Sequence, residues 1–555
     1  MNKAHLLVFL ICCSLLTISL ESEAQISGGG TPPSFRLKKS QKIDFPRLKA
    51  FVPSEDIELL KKQDAAAERN GMPPIVATLI SSRLNLADDG LWEAIGNDSV
   101  CRLSIGAQGA LGIILYYERF SIPNGGELFI YNKDKTQLIG AYTSKTNPRG
   151  RHFSTEMIYG DTLTLEYVHP KGSKKPEIVV SDIGYGYNLT DFTPGSNSPL
   201  RASAASSNCY VDVNCSPEGD KWQQEKKGVA KMIIRIGAKS YLCSGSLVNN
   251  VYQDYTPYFL SAHHCFEQNS QTADFATIQF YFHYEAETCG GNVNTSKVKT
   301  MVGADMLVDI PLKGGSDGAL LRLAEEIPQS YDVFYNGWDI TSNEAKSGAI
   351  IHHPQGDLKK ISTFTQPPTT VTFIDLLDTC TIGGHWKVIY TSTLNGFSVT
   401  AGGSSGSPMF NQDGRIVGTL SGGESFCSTP SEPDYYAKFS YHWNKAKSES
   451  QWMSKYLNGG NYPSVTKIDG IDRYTTRDTL TGIEKVKISS EIVDGELYIS
   501  SSYAIRKISI YDMTGRLVLQ TSNSPIDIPA TMPRGVYVVA ATTTEGNGKF
   551  KFIKK

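Results

Sequence analysis

Charge is scarce in this chain. Asp, Glu, Lys and Arg make up 20% of its 555 residues, and 54 basic residues against 56 acidic ones leave a net charge of −2. A soluble chain ordinarily carries about a quarter charged residues. So balanced a set signals neither a nucleic-acid binder nor a charged disordered tail. Long apolar runs are missing as well: beyond Leu20 no stretch approaches the roughly 18 residues of a membrane-spanning helix. No HExxH or CxxC pattern occurs, so no zinc site is expected; calcium leaves no spacing signature and stays open. Nor is there a repeat of about 20 to 50 residues, which argues against a solenoid or propeller.

At roughly 150 residues per domain the length suggests three or four units. Glycine (50 residues), Tyr (28) and Phe (22) are plentiful, and aromatic residues favour pleated, half-buried surfaces between tight turns. The expected fold class is all-β.

The start of the chain reads as an export signal over residues 1–24. Lys3 supplies the positive end, Leu6 to Leu20 an apolar run too short for a comfortable span, and Ser22-Glu23-Ala24 a small-residue cleavage site before Gln25. A lipid anchor on Cys12 or Cys13 is the rival reading, but each follows a bulky residue, Ile11 or Cys12. Export lets disulfides persist. Setting aside Cys12 and Cys13, the cysteines are Cys101, Cys209, Cys215, Cys243, Cys265, Cys289, Cys380 and Cys427, all but Cys101 between 209 and 427. That clustering marks one stapled domain with an odd thiol, unless Cys380 finds Cys101.

Residues 25–201 open on a Gly/Pro-rich stretch and a short polar helix, Glu58 to Arg69. Strand-like segments bounded by turn residues follow, such as GALGIILYYERF and DTLTLEYV. The Ser/Pro-rich segment Thr193 to Ser207, with Arg201 in it, reads as an exposed, cleavable linker. A propeptide over 25–201 is expected; a separate binding module would show the same strand pattern, but only a propeptide disappears from the mature protein. Residues 202–472 form the central unit and 473–481 a linker. Residues 482–555 alternate as a small β-sandwich, with turns at Met513-Thr514-Gly515 and Gly546-Asn547-Gly548.

Three short motifs stand in order in the central unit: SAHHC at 261–265, GGSDGALLRL at 314–323 and GGSSGSP at 402–408. Each alone is weak. Together, in an exported β domain, they set His264, Asp317 and Ser405 in the chain order of chymotrypsin-like serine proteases, whereas subtilisin-like enzymes run Asp, His, Ser. A serine hydroxyl is a poor nucleophile until a base takes its proton. His264 would be that base, and Asp317 would fix its tautomer by accepting from the other ring nitrogen. Glycines beside Ser405 would let the N–H groups of Gly403 and Ser405 converge on a developing oxyanion. Cys243 and Cys265 bracket the segment ending at His264, so a disulfide there would pin the histidine's loop.

CSGSLVNN at 243–250, SAHHC, Gly337-Trp338-Asp339, GAIIHHP at 348–354, GGSSGSP, GRIVGTLSGG and WMSKYLNGG resemble the secreted lysyl endopeptidases, a bacterial branch of the chymotrypsin-like proteases, over nearly half the chain. The resemblance implies a double β-barrel, His264 as base, Asp317 as its orienter and Ser405 as nucleophile. It implies the disulfides Cys209–Cys427, Cys215–Cys289 and Cys243–Cys265, leaves Cys380 without a partner, and makes His352 and His353 structural. The position six residues before Ser405, where trypsin keeps its pocket carboxylate, is Val399. The family's pocket acid follows the last cysteine. Asp434, after Cys427 and nine residues before Trp443, matches that place and is the candidate for binding a substrate cation. Two departures stand out: the family's pocket-side histidine corresponds to Ser421, and no Trp occupies Val371 to Leu377.

KISIYDMTGRLVL, MPRGVYVV and the basic end KFKFIKK resemble the C-terminal sorting domain of the bacterial type IX secretion route. That implies transport across a Gram-negative outer membrane, then release or surface attachment. The reading is a secreted serine endopeptidase cutting after basic residues, Lys favoured over Arg, made as a precursor, acting on proteins or peptides as a monomer, without a cofactor or nucleic-acid partner. The alternatives are a related endopeptidase with another preference, such as Glu, and a catalytically silent surface adhesin.

Overall fold

The computed structural model describes residues 28–37, 44–69, 72–95, 98–148, 150–189, 209–375, 378–459 and 465–473, and most of 488–554. The expected signal segment, Arg201 and nearly all of the 473–481 linker lie outside the described residues. The chain forms two compact units, divided after Arg473.

Strands dominate both, and the all-β expectation holds. In the first unit, a six-stranded sheet built on Asp98–Ala107, Thr162–His169 and Glu127–Asn132 carries the N-terminal part. The helix Ile57–Arg69 keeps close to its expected bounds. A second, twelve-stranded sheet crosses the boundary expected at 201/202. Strands Gly112–Ser121, Glu177–Gly186 and Ile75–Asn85 run on into Lys239–Leu247, Val229–Ile236 and Gln279–Phe282 of the central region. The seam is the antiparallel pairing of Ser240 with Ala77 and Lys239 with Thr78.

Side chains close the same seam. Tyr117 and Phe153 share one apolar core with Met232, Tyr241 and Phe280. Ion pairs Lys239–Asp64 (3.2 Å), Arg235–Asp182 (2.9 Å) and Arg151–Asp305 (2.7 Å) flank it. Burying apolar area at about 25 cal/mol per Å² makes such a shared core the main source of cohesion, and the partly exposed ion pairs add little.

The central region's other half is a ten-stranded sheet containing Gly348–His352, Pro408–Asn411, Ile416–Gly423, Asp434–Lys438 and His385–Val388. Its cores gather Trp338, Phe410 and Phe439 in one cluster and Trp386, Val399 and Tyr436 in another. Cys209–Cys427, Cys215–Cys289 and Cys243–Cys265 are disulfides. Cys101 and Cys380 are buried, and no disulfide joins them, so the conditional link between the two is absent.

In the second unit, Ile488–Val493, Glu496–Ser501 and Ile526–Asp527 form one sheet. Leu517–Thr521, Ile505–Asp512, Gly535–Thr543 and Asn547–Lys554 form another. Leu497, Ile499, Ile508, Ile510 and Val539 fill its core. Asn547 and Gly548, read from sequence as turn residues, are already paired with Thr542 and Ala541. The turn expected at 513–515 lies outside the described residues.

Candidate active site

Two antiparallel neighbours bring the histidine and the aspartate together. Strand Tyr258–Ser261 pairs with Gly318–Leu323, Ser261 opposite Ala319. The residue just before one strand and the turn just after the other therefore lie at the same end. His264 sits in the short helical turn His263–Cys265, anchored by the Cys243–Cys265 disulfide. Asp317 precedes the partner strand with a left-handed backbone, φ 53°, a conformation a non-glycine residue holds only when its surroundings enforce it. Its carboxylate is fully buried. It lies 2.9 Å from His264 Nδ1 through Oδ2, and Oδ1 accepts the His264 backbone N–H at 3.1 Å.

An ionised carboxylate can only accept, so Nδ1 carries the hydrogen and Nε2 is left with its lone pair. Burial alone would push the Asp317 carboxyl up. The His264 charge and hydrogen bond, the Ser421 hydroxyl and the His264 N–H outweigh it and hold the group below its ordinary value. His264 Nε2 is buried and has no hydrogen-bond partner among the described residues.

The nucleophile loop follows from local sequence. Ser404 donates its N–H to Ala401 (2.9 Å) and receives the Ala401 N–H on Oγ (3.2 Å). Gly403 adopts φ 89°, where a side chain would be strained. The carbonyl of Ser405 accepts the N–H of Ser244 at 2.9 Å, and Cys265 Sγ lies 3.7 Å from it. That ties the loop to the strand and disulfide that also hold His264. The N–H groups of Gly403 and Ser405 donate to no group among the described residues. The Ser405 hydroxyl is not hydrogen-bonded to His264; such catalytic bonds commonly tighten only when substrate is present.

Behind the loop, His352 bonds Ser404 Oγ through Nδ1 (2.7 Å) and Ser362 Oγ through Nε2 (3.0 Å). Burial, with Lys360 nearby, pushes it down to about 3. His353 Nδ1 bonds the Asp357 carbonyl at 3.0 Å. Both imidazoles are neutral props.

Asp434 opens strand Asp434–Lys438, opposite Gly423 on one side and Val388 on the other. It is fully buried. Oδ2 accepts from Tyr390 Oη (2.7 Å), Thr400 Oγ1 (2.5 Å) and Ser425 Oγ (2.8 Å), and Oδ1 from the Ser425 N–H (3.1 Å). No cation pairs with it among the described residues. Desolvation dominates those hydrogen bonds and raises the carboxyl above its ordinary value. Val399 and Thr400, from the segment leading to Ser405, are buried as well, Thr400 with its hydroxyl bonded to the carboxylate.

Sequence reasoning did not find the donors around Asp434, nor His385 and His442. Neither histidine lies in a recognisable motif; His385 is placed by the pairing of strand His385–Val388 with Asp434–Lys438, and His442 by the helix Phe439–Asn444 that follows the latter strand. His442, also buried, bonds Ser316 Oγ at 2.8 Å and Thr419 Oγ1 at 2.9 Å. Phe373 occupies the stretch that lacks a tryptophan, its ring 5.2 Å from His385 and 5.1 Å from Tyr435.

Residues 203–437 match the family described as lysyl endopeptidase, C-terminal domain, and residues 493–555 match the secretion system C-terminal sorting domain. The chain is 31% identical over 304 residues to a lysyl endopeptidase of Pseudomonas aeruginosa, covering 52% of this chain. It spans 61% of the length of that curated relative. Solved structures with likeness to it include a thermostable serine protease, AL20, from an extremophilic microorganism. That match has 14% identity and a TM-score of 0.28, over 39% of this chain and 92% of that one. Another is the protease Anisep from Arthrobacter nicotinovorans, with 16% identity and a TM-score of 0.28, over 38% of this chain and 90% of that one.

Proposed function

We propose that this protein is a secreted, chymotrypsin-like serine endopeptidase that hydrolyses peptide bonds after basic residues, Lys favoured over Arg. The observation that carries the reading is the buried Asp317 carboxylate, 2.9 Å from Nδ1 of His264, beside a loop whose Gly403 and Ser405 N–H groups are uncommitted. The matches over 203–437 and to a lysyl endopeptidase support the same reading.

In this mechanism Ser405 Oγ attacks the scissile carbonyl carbon while its proton passes to His264 Nε2. The carbonyl oxygen becomes an oxyanion that accepts from the N–H groups of Gly403 and Ser405; one such donor contributes about 3 to 4 kcal/mol to the barrier. Asp317 stabilises the imidazolium without taking its proton. His264 then delivers the proton to the leaving amine as the C–N bond breaks, leaving an acyl-enzyme on Ser405. Water, deprotonated by His264, attacks that ester, and collapse returns the proton to Ser405.

Specificity is assigned to Asp434. A buried carboxylate held only by neutral donors gains most from an arriving ammonium or guanidinium, and a neutral side chain would leave it unpaired. No basic residue pairs with Asp434 among the described residues, which disfavours a preference for Glu.

Residues 25–201 are proposed as the propeptide. Glu68 and Pro74 crowd the nucleophile loop: a Cβ on Gly402 would meet Glu68 Oε1 at 2.7 Å and Pro74 Cγ at 2.7 Å. The Pro74 carbonyl accepts the Leu242 N–H at 3.0 Å. An N-terminal part so placed stiffens the loop and narrows access to it until removed. The protein is secreted or held on the outer surface of a Gram-negative cell, as the match at 493–555 indicates; that region is proposed to engage the secretion machinery.

The test is to map cleavage sites made by the purified mature protein in a proteome-derived peptide library, beside Ser405→Ala and Asp434→Asn. Cuts after Lys, or Lys and Arg, that vanish in Ser405→Ala and redistribute in Asp434→Asn support both assignments. Cuts after other residues overturn the pocket. No cleavage by correctly matured protein favours a silent adhesin.

A further inference from the structure

Ser244, on strand Lys239–Leu247, is bonded to both residues whose N–H groups make the proposed oxyanion site. It is fully buried. Its backbone N–H donates to the Ser405 carbonyl at 2.9 Å, and its hydroxyl donates to the Gly403 carbonyl at 2.8 Å. The hydroxyl oxygen also accepts the His353 N–H at 3.0 Å. The Ser244 carbonyl accepts from Ser261 Oγ at 2.9 Å, which fixes Ser244 itself.

Hydrogen counting leaves these bonds one direction. A serine hydroxyl has a single hydrogen; the His353 N–H can only donate and the Gly403 carbonyl can only accept, so the hydrogen points to Gly403. A peptide group is planar and trans, so holding its carbonyl aims its N–H the opposite way. Three consecutive peptide groups run through the loop. The first, between Gly402 and Gly403, carries the Gly403 N–H, and its carbonyl accepts from the Gln355 N–H at 2.5 Å. The third, between Ser404 and Ser405, carries the Ser405 N–H, and its carbonyl accepts from the Ser407 N–H at 3.0 Å. The middle group joins the two donors. Its N–H, from Ser404, bonds Ala401 within the loop, whereas its carbonyl is tied to strand Lys239–Leu247 by Ser244 Oγ. Gly403, at φ 89°, has no Cβ to limit rotation of its backbone. Freed from Ser244, the middle group can turn about Gly403 and spread the donors apart.

We infer that Ser244 is a positioning residue for the oxyanion site: its hydroxyl fixes the peptide group between the two donors and so sets the angle at which they meet the scissile carbonyl oxygen. The inference rests on the triad and oxyanion reading above. The same hydroxyl holds the His353 N–H, two residues before Gln355, and so steadies the segment that anchors Gly402. Gln355 keeps a left-handed backbone, φ 53°, which its surroundings must enforce. Removing the hydroxyl leaves a buried carbonyl and a buried N–H without this partner, and rotation at the glycine is the least costly relief. Ser244 makes no hydrogen bond to His264 among the described residues. Its loss should therefore weaken oxyanion stabilisation and leave proton transfer as it was.

The test uses the protein matured from its full chain, with Ser244→Ala, which removes the hydroxyl and keeps the backbone bond to Ser405, and Ser244→Thr, which keeps both. Steady-state kinetics on a peptide that the wild type cleaves, well below the melting temperatures and across pH 5–9, should give kcat lowered about ten- to a hundredfold in Ser244→Ala, part of the roughly 10²- to 10³-fold lost with a whole donor. KM should stay within about twofold and the pH profile should keep its shape. A trifluoromethyl ketone on the same peptide probes the oxyanion directly. Its carbonyl carbon bonds Ser405 Oγ, the hydroxyl proton passes to His264 Nε2, and the carbonyl oxygen takes the negative charge. Its affinity should fall by the same factor as kcat/KM. Ser244→Thr should lie within about threefold of the wild type in both measurements. An unchanged kcat in Ser244→Ala, a change in KM alone, ketone affinity that holds while kcat falls, or Ser244→Thr as slow as Ser244→Ala would overturn the inference. Should Ser244→Ala fail to fold, Ser244→Gly is measured in its place and read the same way. Failure of the triad reading is separate: it appears as cleavage that survives Ser405→Ala.

Discussion

A Cβ placed on Gly423 would stand 1.7 Å from Oδ1 of Asp434. The two residues face each other across the antiparallel pairing of Ile416–Gly423 with Asp434–Lys438, so this glycine is the space in which the carboxylate lies. Gly423→Ala must displace Asp434 or the strand. It should raise KM for peptides with Lys before the cut at least tenfold and lower stability by about 1 to 3 kcal/mol, the cost of overpacking. Kinetics and urea unfolding would check this, and an unchanged KM would remove Asp434 from the pocket.

Asp434→Asn should separate function from stability. A carboxyl whose pKa is raised in the fold opposes folding once ionised: stability is greatest below the unfolded value near 3.8 and declines as pH rises through the raised value. Removing the charge should therefore leave the melting temperature unchanged or higher at pH 7 while kcat/KM for Lys substrates falls 100-fold or more. In the wild type, KM for Lys substrates should rise as acid protonates the same group. A melting temperature several degrees lower in Asp434→Asn would contradict this account.

Ser405→Ala, His264→Ala and their combination should each lower kcat by about 10⁴-fold or more, with the double variant no worse than the worse single one, because the residues act as one unit. Burst-phase acyl-enzyme should vanish with Ser405. Single-variant losses that multiply in the combination would mean independent roles.

Replacing Cys243 and Cys265 together by serine opens a loop spanning 22 residues. It should cost about 2 to 4 kcal/mol in unfolding free energy. Activity should fall further than stability predicts, since Cys265 adjoins His264 and lies 3.7 Å from the Ser405 carbonyl. Activity equal to wild type at a temperature where both fold would argue that the bridge does not position the histidine.

Acid should unfold the central region through its buried imidazoles. His352 and His442 are pushed down to about 3 and His385 to about 4, chiefly by burial. The unfolded chain takes up these protons near pH 6.5 and the native one does not. The stability they contribute is complete above that value and is lost as pH falls from about 6.5 towards 3 to 4. Each group contributes a slope of about 1.4 kcal/mol per pH unit in that window. Urea midpoints at pH 7 and pH 5 would measure it; equal midpoints would mean the histidines titrate normally in the folded protein.

How much of this was legible beforehand depends on range. Sequence alone determined what is local or compositional: the β class from Gly, Tyr and Phe content, the stapled region from clustered cysteines, and the candidate triad from chain order and flanking glycines. These features survive in the one-dimensional pattern because each is carried by composition or by the order of short motifs, neither of which depends on how the strands pair. Tertiary structure decided everything that depends on which strands pair. Ser261 opposite Ala319 brings His264 to Asp317 across 53 residues of chain. Tyr390, Thr400 and Ser425 converge on Asp434 from three separate segments. His385 reaches Ser421 across 36 residues with no motif to announce it. Ile75–Asn85 joins Lys239–Leu247 in one sheet, although the composition of the chain breaks between them. Strand order is set by burial of side chains distant in sequence. A hydrogen bond at 3 Å between such residues leaves no trace in spacing, because any intervening loop length can satisfy it.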